Sequence, residues 1–164
     1  MTKIASVVTA AAILFGGASL SVSAQGPHVI ATPEEATWGP APPLLPPGAE
    51  IAVLAGNPGA AAPYTVRLKF PAHYAVPAHS HPTDENVVIT SGAVTFGMGD
   101  KLVKTSPGNK TLKSGGYFLA TANMNHFAFT GAEGATIVLY GQGPVEFKYV
   151  NPADDPRNAK TSTR

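Results

Sequence analysis

Four of the five histidines fall between His73 and His126, in a chain whose charged residues make up only 13% of the total. His79-Ser80-His81 sets two imidazoles at i and i+2, and in an extended strand such residues point to the same side. Pro82-Thr83-Asp84 turns the chain, and Glu85 opens the next apolar segment. One strand, one turn and the start of another thus bring a carboxylate beside two imidazoles. His126 begins a later segment, after Gly115-Gly116 and Asn123-Met124-Asn125. Three imidazoles and a carboxylate form a donor set for a first-row transition metal with one or two positions left open. Glu85 is also the candidate catalytic group of the set. The ordinary alternative is a cluster of surface histidines beside a solvated carboxylate. Against it, Val87 and Ile89 share the parity of Glu85 and give it a buried face. Asp84 falls on the opposite side and is expected in solvent. His73 is expected at a loop or rim, and His28 in an arm without a role.

The elements that must position these residues are strands. Tyr64, Val66, Leu68 and Phe70 alternate with Thr65, Arg67 and Lys69, a period of two. Further short strands are expected around 51–55, 74–78, 85–91, 93–97, 101–104, 116–121, 126–130, 135–140 and 146–150, with a tight hairpin turn at Ser91-Gly92. No window after the first residues carries a helical period. Gly 17 and Pro 16 punctuate the chain and argue against a helical bundle. Many short strands at near-regular spacing mean an antiparallel sandwich or barrel. Tyr64, Tyr74, Phe96, Met98, Tyr117 and Tyr140 are expected to line its interior. A tyrosine hydroxyl near the metal could donate a hydrogen bond, and the sequence does not say which one.

The spacing His79-x-His81-x3-Glu85-x6-Gly92 resembles the first signature of the cupin family position for position. Gly115 followed by His126 is similar to the outer spacing of the second signature, in which Thr121 and Asn123 here replace the usual proline and glycine. The resemblance covers residues 50–150 and implies an all-β, antiparallel double-stranded β-helix, the jelly-roll barrel. It also implies a divalent metal held by His79, His81, Glu85 and His126 in the barrel mouth, and a possible homodimer. Flavonol-cleaving and cysteine-oxidising cupins use such a centre as dioxygenases.

The rest of the chain sets the context. Met1-Thr2-Lys3, the uncharged apolar run 4–20 and the small residues Ser21-Val22-Ser23-Ala24 read as a secretory signal peptide, 1–24, cleaved after Ala24. The alternative is an uncleaved anchor. The mature protein is expected to be periplasmic or secreted, with no membrane attachment, and to carry ten basic against ten acidic residues. No basic run supports nucleic-acid binding. No Cys is present, which excludes disulfides, thiolate metal sites and cysteine nucleophiles. Residues 25–49 form a proline-rich extended arm, 50–150 the barrel and 151–164 a polar tail.

An export signal without twin arginines implies that the metal loads outside the cytoplasm. Nitrogen and oxygen donors then favour copper or zinc, with iron, manganese and nickel the other candidates. The partner is expected to be a small molecule. The inward positions 64, 66, 68, 70, 87, 89 and 96 are apolar or aromatic, whereas Arg67 and Lys69 face outward. This favours an oxidoreductase of the dioxygenase type acting on a small apolar or aromatic substrate. A non-catalytic metal- or ligand-binding module, or a Lewis-acid isomerase or lyase, are the alternatives, because fold does not imply function.

Overall fold

A computed structural model describes residues 29–158 of the 164. The expected signal peptide 1–24, His28 and the last six residues lie outside the described residues. The strands are β1 (Gly39–Pro40), β2 (Glu50–Ala55), β3 (Pro63–Phe70), β4 (Ala75–Ser80), β5 (Glu85–Met98), β6 (Lys110–Lys113), β7 (Tyr117–Ala120), β8 (His126–Gln142) and β9 (Lys148–Tyr149).

The alternation in β3 does what its period requires. Tyr64, Val66, Leu68 and Phe70 are all buried, while Thr65, Arg67 and Lys69 are not. β3 pairs antiparallel with the second half of β8, from Pro63 opposite Gln142 to Phe70 opposite Ala135. The first half of β8 pairs instead with β4, where His79 faces His126. β5 follows β8 along its whole length, from Glu85 opposite Gly141 to Met98 opposite His126. Two strands therefore run through both walls, and the rest of the strands attach to one wall or the other. This is an antiparallel jelly-roll barrel, closed by pairing that leaves few open edges. Its core is the ring of inward residues from β3, β5 and β8, with Ile89, Val94 and Phe127 the most deeply buried large side chains.

Several strand boundaries differ from the expectation. Ser91-Gly92 is not a hairpin turn. β5 continues through it, bending where the pairing shifts between Ile89 and Ser91 and between Gly92 and Val94. Gly92 has φ +69°, and a Cβ there would collide with the carbonyl oxygen of Gly134, which itself has φ +69°. The crossing point of the two long strands thus has room only for backbone. For the same reason the expected strands 126–130 and 135–140 are one element. Residues 101–104 are turn rather than strand, and Lys110–Lys113 takes that place opposite Ala93–Phe96. Met98, Tyr117 and Tyr140 do not line the interior. They are 53%, 52% and 40% exposed: Tyr140 has the parity opposite to the buried Ile137 and Leu139, Tyr117 opens the short strand β7, and Met98 is the last residue of β5.

The arm is bound more tightly than a surface strap. β1 pairs with β2, and Trp38 lies beneath the Arg67 guanidinium, 5.4 Å from its ring centroid. Leu45 and Ala49 are buried. The Tyr149 hydroxyl donates to the Leu44 carbonyl at 2.7 Å, and the Tyr74 hydroxyl donates to the Pro46 carbonyl. At the other end, 3-10 turns at Pro152–Asp154 and Pro156–Asn158 are tied back by Arg157, which bonds Asp155 and the Phe147 carbonyl.

Candidate metal centre

The centre is assembled where β4 ends, β5 starts and β8 starts. His79 lies in β4 and His81 immediately follows it. The turn Pro82-Thr83-Asp84 leads to Glu85, the first residue of β5, and His126 is the first residue of β8. All four are buried, each with at most 4% of its surface exposed. One ring nitrogen from each of His79, His81 and His126 lies within 4.8 Å of the other two. His79 and His126 approach through the direct β4–β8 pair, with ring centroids 4.4 Å apart.

Each ring is fixed from behind. Nδ1 of His79 meets the Pro77 carbonyl at 2.7 Å, Nδ1 of His81 the Glu146 carbonyl at 2.9 Å, and Nδ1 of His126 the Met124 carbonyl at 3.1 Å. A carbonyl only accepts, so in all three rings Nδ1 carries the hydrogen. The neutral tautomer then presents a lone pair at Nε2, turned toward the centre. Burial keeps these rings neutral. It lowers the pKa of all three below the ordinary 6.5, and mutual repulsion with His126 and His81 lowers His79 further. Phe147 stacks on His79 at 4.5 Å and meets His81 edge-on at 4.5 Å, which sustains the dry surroundings.

Glu85 stands beside this trio rather than inside it. Its Oε2 is 3.3 Å from Nε2 of His81, and its Oε1 accepts from the Tyr64 hydroxyl at 2.9 Å. Burial raises the Glu85 pKa to about 7, partly offset by the Tyr64 hydrogen bond and by His126. The contact with His81 is therefore not a pair of full charges. A neutral imidazole lone pair faces a carboxyl oxygen, an arrangement that suits one proton or one cation between them. Burial, reinforced by Glu85, pushes the Tyr64 hydroxyl well above its usual range, so it stays a donor.

A divalent transition metal fits this donor set. Three converging neutral imidazoles in a dry recess, each held by a carbonyl, plus one carboxylate to offset charge, are the surroundings such ions take. The donors do not choose among copper, zinc, iron, manganese and nickel.

The other sequence candidates fall elsewhere. His73 is exposed in the β3–β4 turn, with φ +57° and its N–H bonded to the Gly131 carbonyl. Asp84 is exposed as expected, yet its Oδ1 accepts from Ala122 N at 2.7 Å. With Asn123 N bonded to the His81 carbonyl at 2.8 Å, this ties the loop before His126 to the turn before Glu85. Asn123 has φ +61°, so a residue tolerant of the left-handed region fills the place of the expected glycine. Tyr64 is the tyrosine that the sequence left unassigned. Phe147 was not anticipated; no periodicity marks a residue in an irregular run after Pro144.

Two recesses meet at Glu85. One, about 40 Å³, is bounded by the three imidazoles, Phe96 and Ile137. The other, about 250 Å³, is almost wholly apolar and is lined in part by Pro42, Leu44 and Leu45 of the arm. Leu68, Glu85 and Leu139 border both.

No family model and no curated protein matches the sequence. Solved structures do match the fold. An RmlC-like cupin from Shewanella frigidimarina is similar with TM-score 0.54 at 16% identity, over 72% of this chain and 92% of its own. KdgF from a Halomonas species gives 0.53 at 19%, over 73% and 96%. The polyketide cyclase RemF from Streptomyces resistomycificus gives 0.55 at 14%, over 66% and 75%. The chain has the cupin fold, and its three-histidine group lies in the barrel as a candidate divalent metal site.

Proposed function

We propose that the protein is an exported metal-dependent enzyme that acts on a small, largely apolar substrate, with His79, His81 and His126 as metal ligands. Glu85 serves as fourth ligand or as acid-base group. The observation that carries this reading is the three fixed imidazoles, each with its Nε2 lone pair turned inward, facing a carboxyl–hydroxyl pair at the border of an apolar cavity. A bound divalent metal would supply Lewis-acid polarisation and, if redox-active, oxygen chemistry. The chain's own groups do the rest. Glu85 takes a proton from a substrate hydroxyl or enol, Tyr64 holds the carboxyl in place through Oε1, and the apolar walls exclude water.

With so little polarity around the site, the reaction we favour is that of an oxidoreductase of the dioxygenase type, with O2 as co-reactant. The Glu85–Tyr64 pair favours a second reading, in which proton transfer alone drives an isomerase, lyase or cyclase reaction; the similar fold of a polyketide cyclase is in keeping with it. Under the export reading the metal is copper or zinc. Copper suits the first reaction and zinc the second. Periplasmic protein incubated with a panel of phenols and enols tests this. Substrate loss matched by oxygen uptake supports the oxidative reading, and loss without uptake the second. No turnover over the panel would point to a binding module.

A further inference from the structure

The barrel does not make the larger cavity alone. Pro42, Leu44 and Leu45 of the arm line it together with Leu68, Leu139 and Phe147 of the barrel and its C-terminal run. This wall is held in place. Tyr149 binds the Leu44 carbonyl and Tyr74 the Pro46 carbonyl, and five prolines between 40 and 47 restrict what the segment can adopt. Phe147 joins the cavity to the imidazoles, since the ring that lines it also stacks on His79. Among the described residues that line it, Tyr64 and Glu85 are the ionisable ones, and none is a cation. An anionic group at the arm end of the cavity, away from the metal centre, would lose its hydration among Pro42, Leu44 and Leu45 with no counter-charge. The volume, about 250 Å³, is that of roughly eight waters at bulk density. It suits one aromatic ring with a short alkyl chain.

We infer that Leu44 and Leu45 of the proline-rich arm are the selectivity wall of a pocket for an uncharged, single-ring or short-chain ligand whose one hydroxyl or enol end faces Glu85 and Tyr64. The hydroxyl end rests on the function proposed above; the hydrocarbon end does not require turnover. Leu44 is half-buried and Leu45 buried, so Leu44 is the side chain to change. Its replacement by Ala deepens the cavity, and by Trp fills it. Pocket depth sets chain-length preference because one methylene gained or lost in an apolar pocket changes affinity by about tenfold or more.

The test is calorimetric titration of zinc-loaded mature protein with 4-alkylphenols from methyl to hexyl, and with 3-(4-hydroxyphenyl)propionate, whose carboxylate would fall at the arm end. Zinc is redox-silent, so binding is read without oxidation. The expected result is that 4-propylphenol binds and 3-(4-hydroxyphenyl)propionate does not. Leu44→Ala should move the best alkyl chain one or two carbons longer, and Leu44→Trp should weaken 4-propylphenol by about tenfold or more. Leu119→Ala, on the outer face, should change nothing. If Leu44→Trp does not fold, the chain-length shift in Leu44→Ala decides alone. An unchanged optimum in Leu44→Ala, hydroxyphenylpropionate binding as tight as 4-propylphenol binding, or no phenol binding at all would each overturn the inference. Binding that obeys the arm without turnover would remove the enzymatic reading alone, and turnover indifferent to Leu44 would remove this one alone.

Discussion

At the scale of single residues, the centre works because each imidazole is oriented by a backbone carbonyl and not by another titratable side chain. Carbonyls cannot change protonation, so the Nε2 lone pairs stay available for as long as the strands hold. Glu85 is held differently, by the Tyr64 hydroxyl. Tyr64→Phe keeps the ring and removes the donor, leaving a buried carboxyl oxygen without its partner. We expect a loss of about 1–3 kcal/mol in denaturant unfolding, with bound metal retained, since no imidazole is touched. Unfolding midpoints equal to wild type would show that the hydrogen bond is not formed in solution. The spacing His79-x-His81-x3-Glu85 announced three members of the cluster, because alternation in a strand fixes which side chains share a face. The Tyr64 partnership was not legible: the two residues are 21 positions apart and meet only through the pairing of β3, β8 and β5.

At the scale of elements, two devices position the centre. The first is the bend shared by β5 and β8, where Gly92 packs on Gly134 backbone. Gly92→Ala must adopt φ +69° and meet a carbonyl that cannot move aside. We expect it to cost about 1–3 kcal/mol or more, read as a lower melting temperature; an unaffected melt would contradict the bend. The second is the Asp84 carboxylate that holds the loop before His126. Asp84→Ala should leave the fold intact but loosen His126, weakening metal affinity by about tenfold in a chelator competition. Affinity equal to wild type would reduce Asp84 to a bystander. The all-β barrel and most strands could be read from period-two alternation. The continuity of β5 and β8 could not, because Gly in a strand signals either a turn or a bulge, and only the partner strand decides between them. Residues 101–104 misled for a similar reason, as their short alternation belongs to a loop pinned by Asn109 on the Val103 and Lys104 carbonyls.

At the scale of the whole molecule, no Cys is present and stability comes from packing, with any bound metal adding to it. A ligand that binds only the folded chain stabilises by RT ln(1 + [L]/Kd). Chelation should therefore lower the melting temperature, and reductant should leave it unchanged. Acid should act on the chelated protein in a definite direction. Burial lowers the pKa of His79, His81 and His126, so below 6.5 the unfolded chain takes up protons that the folded one refuses, and stability falls with pH. Glu85, raised to about 7, acts in the opposite sense, but as one group against three. Melting temperatures of chelated protein at pH 5.5 should lie below those at pH 6.5 and above; a flat or inverted profile would mean that the rings are not buried and neutral. The most direct measurement of the central claim is elemental analysis of protein isolated from the periplasm, where the proposed export would place it, with His81→Ala and His73→Ala prepared alongside. The account predicts one copper or zinc per chain in wild type and in His73→Ala, and little in His81→Ala. Stoichiometric iron or manganese would contradict the export-based choice of metal, and equal metal in the His81 variant, or none in wild type, would contradict the centre itself.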